Sequence, residues 1–188
     1  MTKFSTRRFD HNTVQALINR GYSEPLARAL SARGVKSPED MNYDLHNMLA
    51  PDQLLNCEAA GARLADAIQA QKKIMIIGDY DCDGATSVSL ARLGLRALGA
   101  KNVDYLIPDR EKDGYGLSTP LVKRAAERKP DLIITVDNGI SSYDAVEYAK
   151  SLGIDVIVTD HHLPGSRVPD TLIVNPNQHG DTFPSKSL

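Results

Sequence analysis

From Lys73 onward the chain repeats one pattern five times: a short apolar run rich in β-branched residues, closed by a polar tip. The runs are Ile74–Ile77, Val103–Ile107, Leu132–Val136, Val156–Thr159 and Leu172–Val174. Between most of them lie segments with Leu, Val and Ala three and four apart, such as Val88-Leu90-Leu93-Leu95-Leu98 and Ala145-Val146-Ala149-Leu152. A strand covered on both faces reads as a near-continuous apolar run, and helices that cover it carry apolar residues at helical spacing. The pattern therefore predicts an α/β fold: a parallel sheet of five or more strands flanked by helices.

The preceding residues read differently. Leu17 and Ile18, then Leu26, Ala27 and Leu30, fall in two short helical segments split by Gly21 and stopped by Gly34. Ser37-Pro38-Glu39-Asp40 reads as a cap with proline at the first helical position. A longer Ala-rich helix is expected from about Glu58 to Gln71, with Leu64 and Ile68 on one face. The expected organisation is an N-terminal helical segment, 1–72, before an α/β core, 73–188. There is no internal repeat and no low-complexity tract.

In an open parallel sheet, ligands bind outside the carboxyl ends of the strands. The residues there are Gly78-Asp79-Tyr80-Asp81-Cys82-Asp83-Gly84, then Pro108-Asp109-Arg110, Asp137-Asn138-Gly139, Asp160-His161-His162 and Asn175-Pro176-Asn177. Three carboxylates in five residues, Asp79, Asp81 and Asp83, repel one another unless cations neutralise them. An Asp-rich turn is the bland alternative, but Asp137 and His161 at neighbouring tips favour a metal cradle. Oxygen donors with one or two imidazoles suit Mn²⁺ or Mg²⁺ better than a structural zinc. Two such ions promote in-line phosphoryl displacement, and Asp83, entering the next helix, is the natural bridging carboxylate. Consecutive residues of an extended segment point opposite ways, so at most one of His161 and His162 is expected to be a ligand, leaving the other for substrate.

The 188 residues carry a formal charge of −2, which excludes a global electrostatic case for nucleic-acid binding. The charge is uneven: residues 73–188 hold 13 Lys and Arg against 16 Asp and Glu, a deficit that two divalent cations would reverse. No stretch approaches the roughly 18 apolar residues of a membrane helix, and the polar, basic start lacks an apolar signal core, so a cytoplasmic location is expected. Cys57 and Cys82 have no Cys-x-x-Cys partner and are expected to be small semi-apolar fillers.

The three motifs Gly78–Gly84, Val136-Asp137-Asn138-Gly139-Ile140 and Thr159-Asp160-His161-His162 closely resemble the DHH phosphoesterase superfamily. Asp113-Gly114-Tyr115-Gly116-Leu117-Ser118 and Phe183-Pro184-Ser185-Lys186-Ser187-Leu188 look like its bacterial members that digest single-stranded DNA from 5′ to 3′ in repair and recombination. The resemblance implies a DHH-type domain in which Asp79, Asp81, Asp83, Asp137 and His161 bind two divalent cations, Mn²⁺ or Mg²⁺. It implies that His162 contacts the scissile phosphate and that Asp160 supports the histidines. It places Arg110, Tyr115 and Asn138 near the substrate. Single-stranded DNA is the implied partner, together with repair proteins such as a single-strand-binding protein or a helicase. Such chains continue past Leu188 into a fourth metal-binding motif and a second domain, so these 188 residues are expected to be an N-terminal portion with weak or absent nuclease activity alone. Three alternatives stand beside this: a DHH enzyme acting on short oligonucleotides, cyclic dinucleotides, pyrophosphate or polyphosphate, a non-catalytic repair scaffold, and a phosphatase of the haloacid dehalogenase type with Asp81 as nucleophile.

Overall fold

In the computed structural model, which describes residues 5–186, the five apolar runs form one parallel sheet. The strands are β1 (Ile74–Ile77), β2 (Val103–Leu106), β3 (Leu132–Val136), β4 (Asp155–Thr159) and β5 (Leu172–Val174), in the order β2-β1-β3-β4-β5. Ile74 pairs with Val103 on one side and Leu132 on the other, so β1 lies between β2 and β3. The chain moves outward from β1 in one direction to β2, then crosses back to β3. That reversal opens a crevice between the carboxyl ends of β1 and β3.

Alternation along each strand feeds two cores. Met75 and Ile77 of β1, Ile133 of β3 and Val156 and Val158 of β4 pack beneath α5 (Thr119–Ala126) and α6 (Tyr143–Ser151). Ile74, Ile76, Leu132, Ile134 and Ile157 pack on the other face beneath α3 (Cys57–Gln69) and α4 (Cys82–Ala97). The result is the expected three-layer arrangement of a parallel sheet between helices.

The chain divides into two compact units at Leu49/Ala50. In the first, α1 (His11–Asn19) and α2 (Glu24–Ser31) close on a small core of Val14, Leu17 and Ala27. Asp10 caps α1 by accepting from the Thr13 amide at 2.7 Å. The Ser37–Asp40 capping box is present, but it opens a four-residue 3₁₀ turn, Pro38–Met41. In the second unit, α3 sets Ala60 and Ala67 into the sheet core, and Asn56 donates to the Ile173 carbonyl at 3.0 Å. Residues 50–72, grouped by composition with the N-terminal helices, thus form part of the layer that covers the sheet.

Two details depart from the sequence reading. On α4, Val88 and Leu95 are buried against the sheet with Ala91 packed between them, whereas Leu90, Leu93 and Leu98 are exposed. Cys82 lies exposed in the first turn of α4 and fills no core; Cys57 is half-buried.

Candidate metal centre

The β1 tip is shaped by the start of α4. Asp81 is the N-cap and its side chain accepts from the Gly84 amide at 3.1 Å, which aims the helix N-terminus and its partial positive charge at the acidic loop. Gly84 rides directly on the loop: a Cβ there would fall 2.3 Å from the carbonyl oxygen of Asp79. Only a residue without a side chain lets α4 begin so close to β1.

Asp79 is 1% exposed, and its Oδ1 is buried with no hydrogen-bond partner among the described residues. Burial pushes its carboxyl above the usual carboxylate range, and the charge of Asp81 adds to this against a stabilising Tyr80 amide. One oxygen each from Asp79, Asp81 and Asp137 lies within 4.8 Å of the others. Asp137, just past β3, holds a left-handed conformation (φ 63°), which costs on the order of 1 kcal/mol for a residue with a side chain. Its carboxyl is likewise raised, first by burial and then by Asp81, in spite of a 2.9 Å hydrogen bond with His161 Nε2.

A second group of possible ligand atoms, from Asp137, His161 and His162, also lies within 4.8 Å. Asp137 is common to both groups. Contrary to the expected opposed directions, the two imidazoles turn toward one region, with ring centroids 4.6 Å apart. The strand ends at Thr159, so alternation no longer governs residues 161 and 162. Asp160, beside them, is buried and saturated. Its Oδ2 accepts from the Ile140 amide at 2.9 Å, and its Oδ1 from the amides of His161 and His162 and from His162 Nδ1, at 2.7, 3.1 and 2.7 Å. For His162, burial opposes the charged form, but the hydrogen bond and charge of Asp160, with Asp137 and Asp79 beyond, hold the imidazole above its ordinary value.

The remaining candidates fall around this centre. Asp83 stands exposed in the first turn of α4, outside both ligand groups, and lines a cleft shared with Asp137 and His161. The Tyr115 hydroxyl pairs with His162 Nε2 at 2.8 Å. Burial, with the charges of Asp79, Asp160 and Asp137, drives that phenol well above its ordinary pKa. Tyr80 meets Tyr115 edge to face, and the exposed Arg110 guanidinium lies 5.5 Å over the Tyr80 ring. Asn138 is 1% exposed; its amide donates to the carbonyls of Ile77 and Val136 at 3.1 and 2.9 Å, tying β1 to β3, and its Oδ1 is a second buried acceptor without a partner among the described residues.

Sequence reasoning gave no role to Asn175 and Asn177 beyond their polarity. Their side-chain amides donate to the carbonyls of His162 and His161, and so fix the loop that carries both rings. Their place at the β5 tip was the available signal.

An orphaned buried carboxylate against two further carboxylates and an imidazole is the donor set of a hard divalent cation. Comparison with known proteins accords with this geometry. The model of the DHH family, N-terminal domain, matches residues 73–187. The chain is 51% identical over 166 residues to the single-stranded-DNA-specific exonuclease RecJ of Escherichia coli (strain K12), covering 87% of this chain and 29% of that protein. It is 42% identical over 192 residues to the RecJ of Bacillus subtilis (strain 168), covering 99% of this chain and 24% of the relative. The chain thus spans less than a third of the length of these relatives. A crystal structure of exonuclease RecJ bound to manganese superposes with a TM-score of 0.65 at 40% identity, over 71% of this chain and 34% of that one. The Mn²⁺ complex of RecJ from Thermus thermophilus gives 0.63 at 33%, over 88% and 23%.

Proposed function

The chain belongs to the DHH family, and from that premise we propose that its β1–β3 crevice binds two divalent cations, Mn²⁺ or Mg²⁺, and hydrolyses phosphodiester bonds of single-stranded DNA from the 5′ end. The observation that carries this reading is Asp79, buried with an unpartnered oxygen against Asp81 and Asp137. The relatives named as single-stranded-DNA-specific exonucleases supply the substrate class.

Asp79, Asp81, Asp83, Asp137 and His161 would hold the ions. Bound divalent cations supply a hydroxide nucleophile at neutral pH and neutralise charge on the attacking and leaving oxygens. The chain's own groups do the positioning. His162, oriented through Nδ1 by Asp160 and kept protonated to higher pH by it, donates its Nε2–H to a phosphate oxygen that takes the place of the Tyr115 hydroxyl. Asp160 is a positioning residue that orients the imidazole and the Ile140 turn. Arg110 takes a neighbouring phosphate at the rim, and Tyr80 and Tyr115 offer stacking surfaces to bases. Asn138 acts at one remove, by fixing the separation of the strand ends that carry the carboxylates. Among the described residues no helix is long and apolar enough to cross a membrane. A cytoplasmic role in repair and recombination, beside a single-strand-binding protein or a helicase, belongs to the same proposal.

Calorimetric titration with Mn²⁺ tests the site, and digestion of 5′-labelled and 3′-labelled single strands by the whole gene product tests the activity. The expected result is Mn²⁺ binding that weakens in Asp83→Ala, and release of 5′ nucleotides by the wild type alone. Unchanged Mn²⁺ binding in Asp83→Ala overturns that ligand assignment. Hydrolysis confined to short oligonucleotides or pyrophosphate overturns the exonuclease reading and keeps the metal chemistry.

A further inference from the structure

Beside the crevice, on the outer side of α4 where it passes β2, lies a second cavity of about 410 Å³. It is lined by the aliphatic side chains of Val88, Ile107 and the largely exposed Leu93, together with Tyr105, Arg92 and Arg96. The Arg92 guanidinium lies 5.5 Å over the Tyr105 ring, and its Nε is buried without a hydrogen-bond partner among the described residues. Neither Arg92 nor Arg96 pairs with a carboxylate among the described residues, although most other arginines of the sheet unit do so. Arg110 and Arg167 share that state, but only Arg92 and Arg96 stand one helical turn apart beside an aromatic ring and apolar side chains.

The pair repeats a device at the rim of the metal centre, where Arg110 lies over Tyr80 at the same 5.5 Å. The first pair joins α4 to β2, and the second joins the segment past β2 to the β1 tip. The cavity starts at Ala85, one helical turn from Asp81, the cap of α4. A planar ring offered beside a guanidinium fork, above aliphatic carbon, matches one nucleotide unit: base against the aromatic and apolar wall, phosphate on the arginines. The size lies within the range of pockets that enclose a small ligand.

We propose that the Arg92–Arg96–Tyr105 cavity is an auxiliary subsite for one nucleotide of a single strand whose scissile end occupies the metal centre. It rests on the proposed function for the identity of the strand, but not for its own chemistry. The subsite extends the strand's contact along the β2 edge, so it acts on strands of several nucleotides and is out of reach for a dinucleotide.

The test uses the whole chain with Ca²⁺ in place of Mn²⁺ and fluorescence anisotropy of pdT2 and dT12 at several salt concentrations. In Arg92→Gln/Arg96→Gln the affinity for dT12 is expected to fall about 10-fold, with the salt slope reduced by about 1 to 2, while pdT2 binding is unchanged. A dT12 strand carrying 5-iodouracil is expected to photocrosslink to the peptide containing Tyr105, and Tyr105→Leu to abolish that adduct. Equal dT12 affinity in wild type and variant, with no adduct, overturns the subsite and leaves the proposed function standing. Failure of the wild type to bind either oligonucleotide overturns both. Tighter binding of an acidic peptide such as hexaglutamate than of dT12 overturns the nucleotide assignment in favour of a protein partner.

Discussion

The two acidic loops that meet at the crevice treat their buried carboxylates in opposite ways. At the β4 tip, Asp160 is saturated by four donors, three of them backbone amides. At the β1 tip, Asp79 is buried too, yet one oxygen has no partner among the described residues and its neighbours are carboxylates. A saturated buried carboxylate organises the loop around it. An unsaturated one is unstable by itself and gains most from a cation. The difference separates positioning from ligation more sharply than residue type does.

The contrast can be broken by mutation. Asp160→Ala strands the Ile140 and His161 amides in a buried site and frees His162, so unfolding in urea should show a loss of about 3 kcal/mol. Retention of stability within about 0.5 kcal/mol of the wild type, the range of an ordinary surface substitution, would deny that Asp160 is the organiser. Asp79→Asn should do the reverse: calorimetric Mn²⁺ affinity falls by about 100-fold, or roughly 2.7 kcal/mol, while metal-free stability is maintained or rises. Gly84→Ala forces a methyl into the backbone of Asp79 and should cost about 2 kcal/mol, together with weaker Mn²⁺ binding because the loop must shift. Tyr115→Phe removes one partner of a partly exposed imidazole, so stability should change by less than about 1 kcal/mol; a change in the His162 titration seen by NMR would report the lost contact.

The pH dependence sharpens the same comparison. Asp79 and Asp137 have raised carboxyl pKa values in the folded state, and His162 is raised as well. A folded state that holds protons more tightly than the unfolded chain loses stability as pH rises. The carboxyls contribute their loss from about pH 4 upward, and His162 contributes its own above about pH 6.5. Metal-free protein should therefore be less stable at about pH 7.5 than at about pH 5, with a shallower fall in Asp79→Asn. Mn²⁺ should reverse the trend, since it competes with the protons for Asp79 and Asp137. A metal-free stability that rises over this range would contradict the unsaturated state of the β1 tip.

Much of the site was legible before folding was considered. Runs such as Leu132–Val136 announce a strand buried on both faces, and strand ends are where a parallel sheet presents its polar groups. Asp79, Asp81, Asp83, Asp137 and His161 stand at or just past those ends; the fold gathers all but Asp83 into two groups that share Asp137. The direction of His162 did not follow, because the alternation that governs a strand stops at its last residue. The exposure of Leu90 and Leu93 was equally hidden: helical spacing identifies an apolar stripe, but the sheet covers only the part of it that includes Val88 and Leu95.

What the sequence by itself determined is the order of the layers and the inventory at the sheet edge, because both depend on periodicity and on local turn chemistry. Which carboxylate is saturated, which arginine is uncompensated, and that residues 50–72 cover the sheet were decided only in three dimensions. Those outcomes depend on partners far apart along the chain, such as Ile140 with Asp160 or Asn56 with Ile173. A hydrogen bond between residues so distant exists only once the strands are laid side by side.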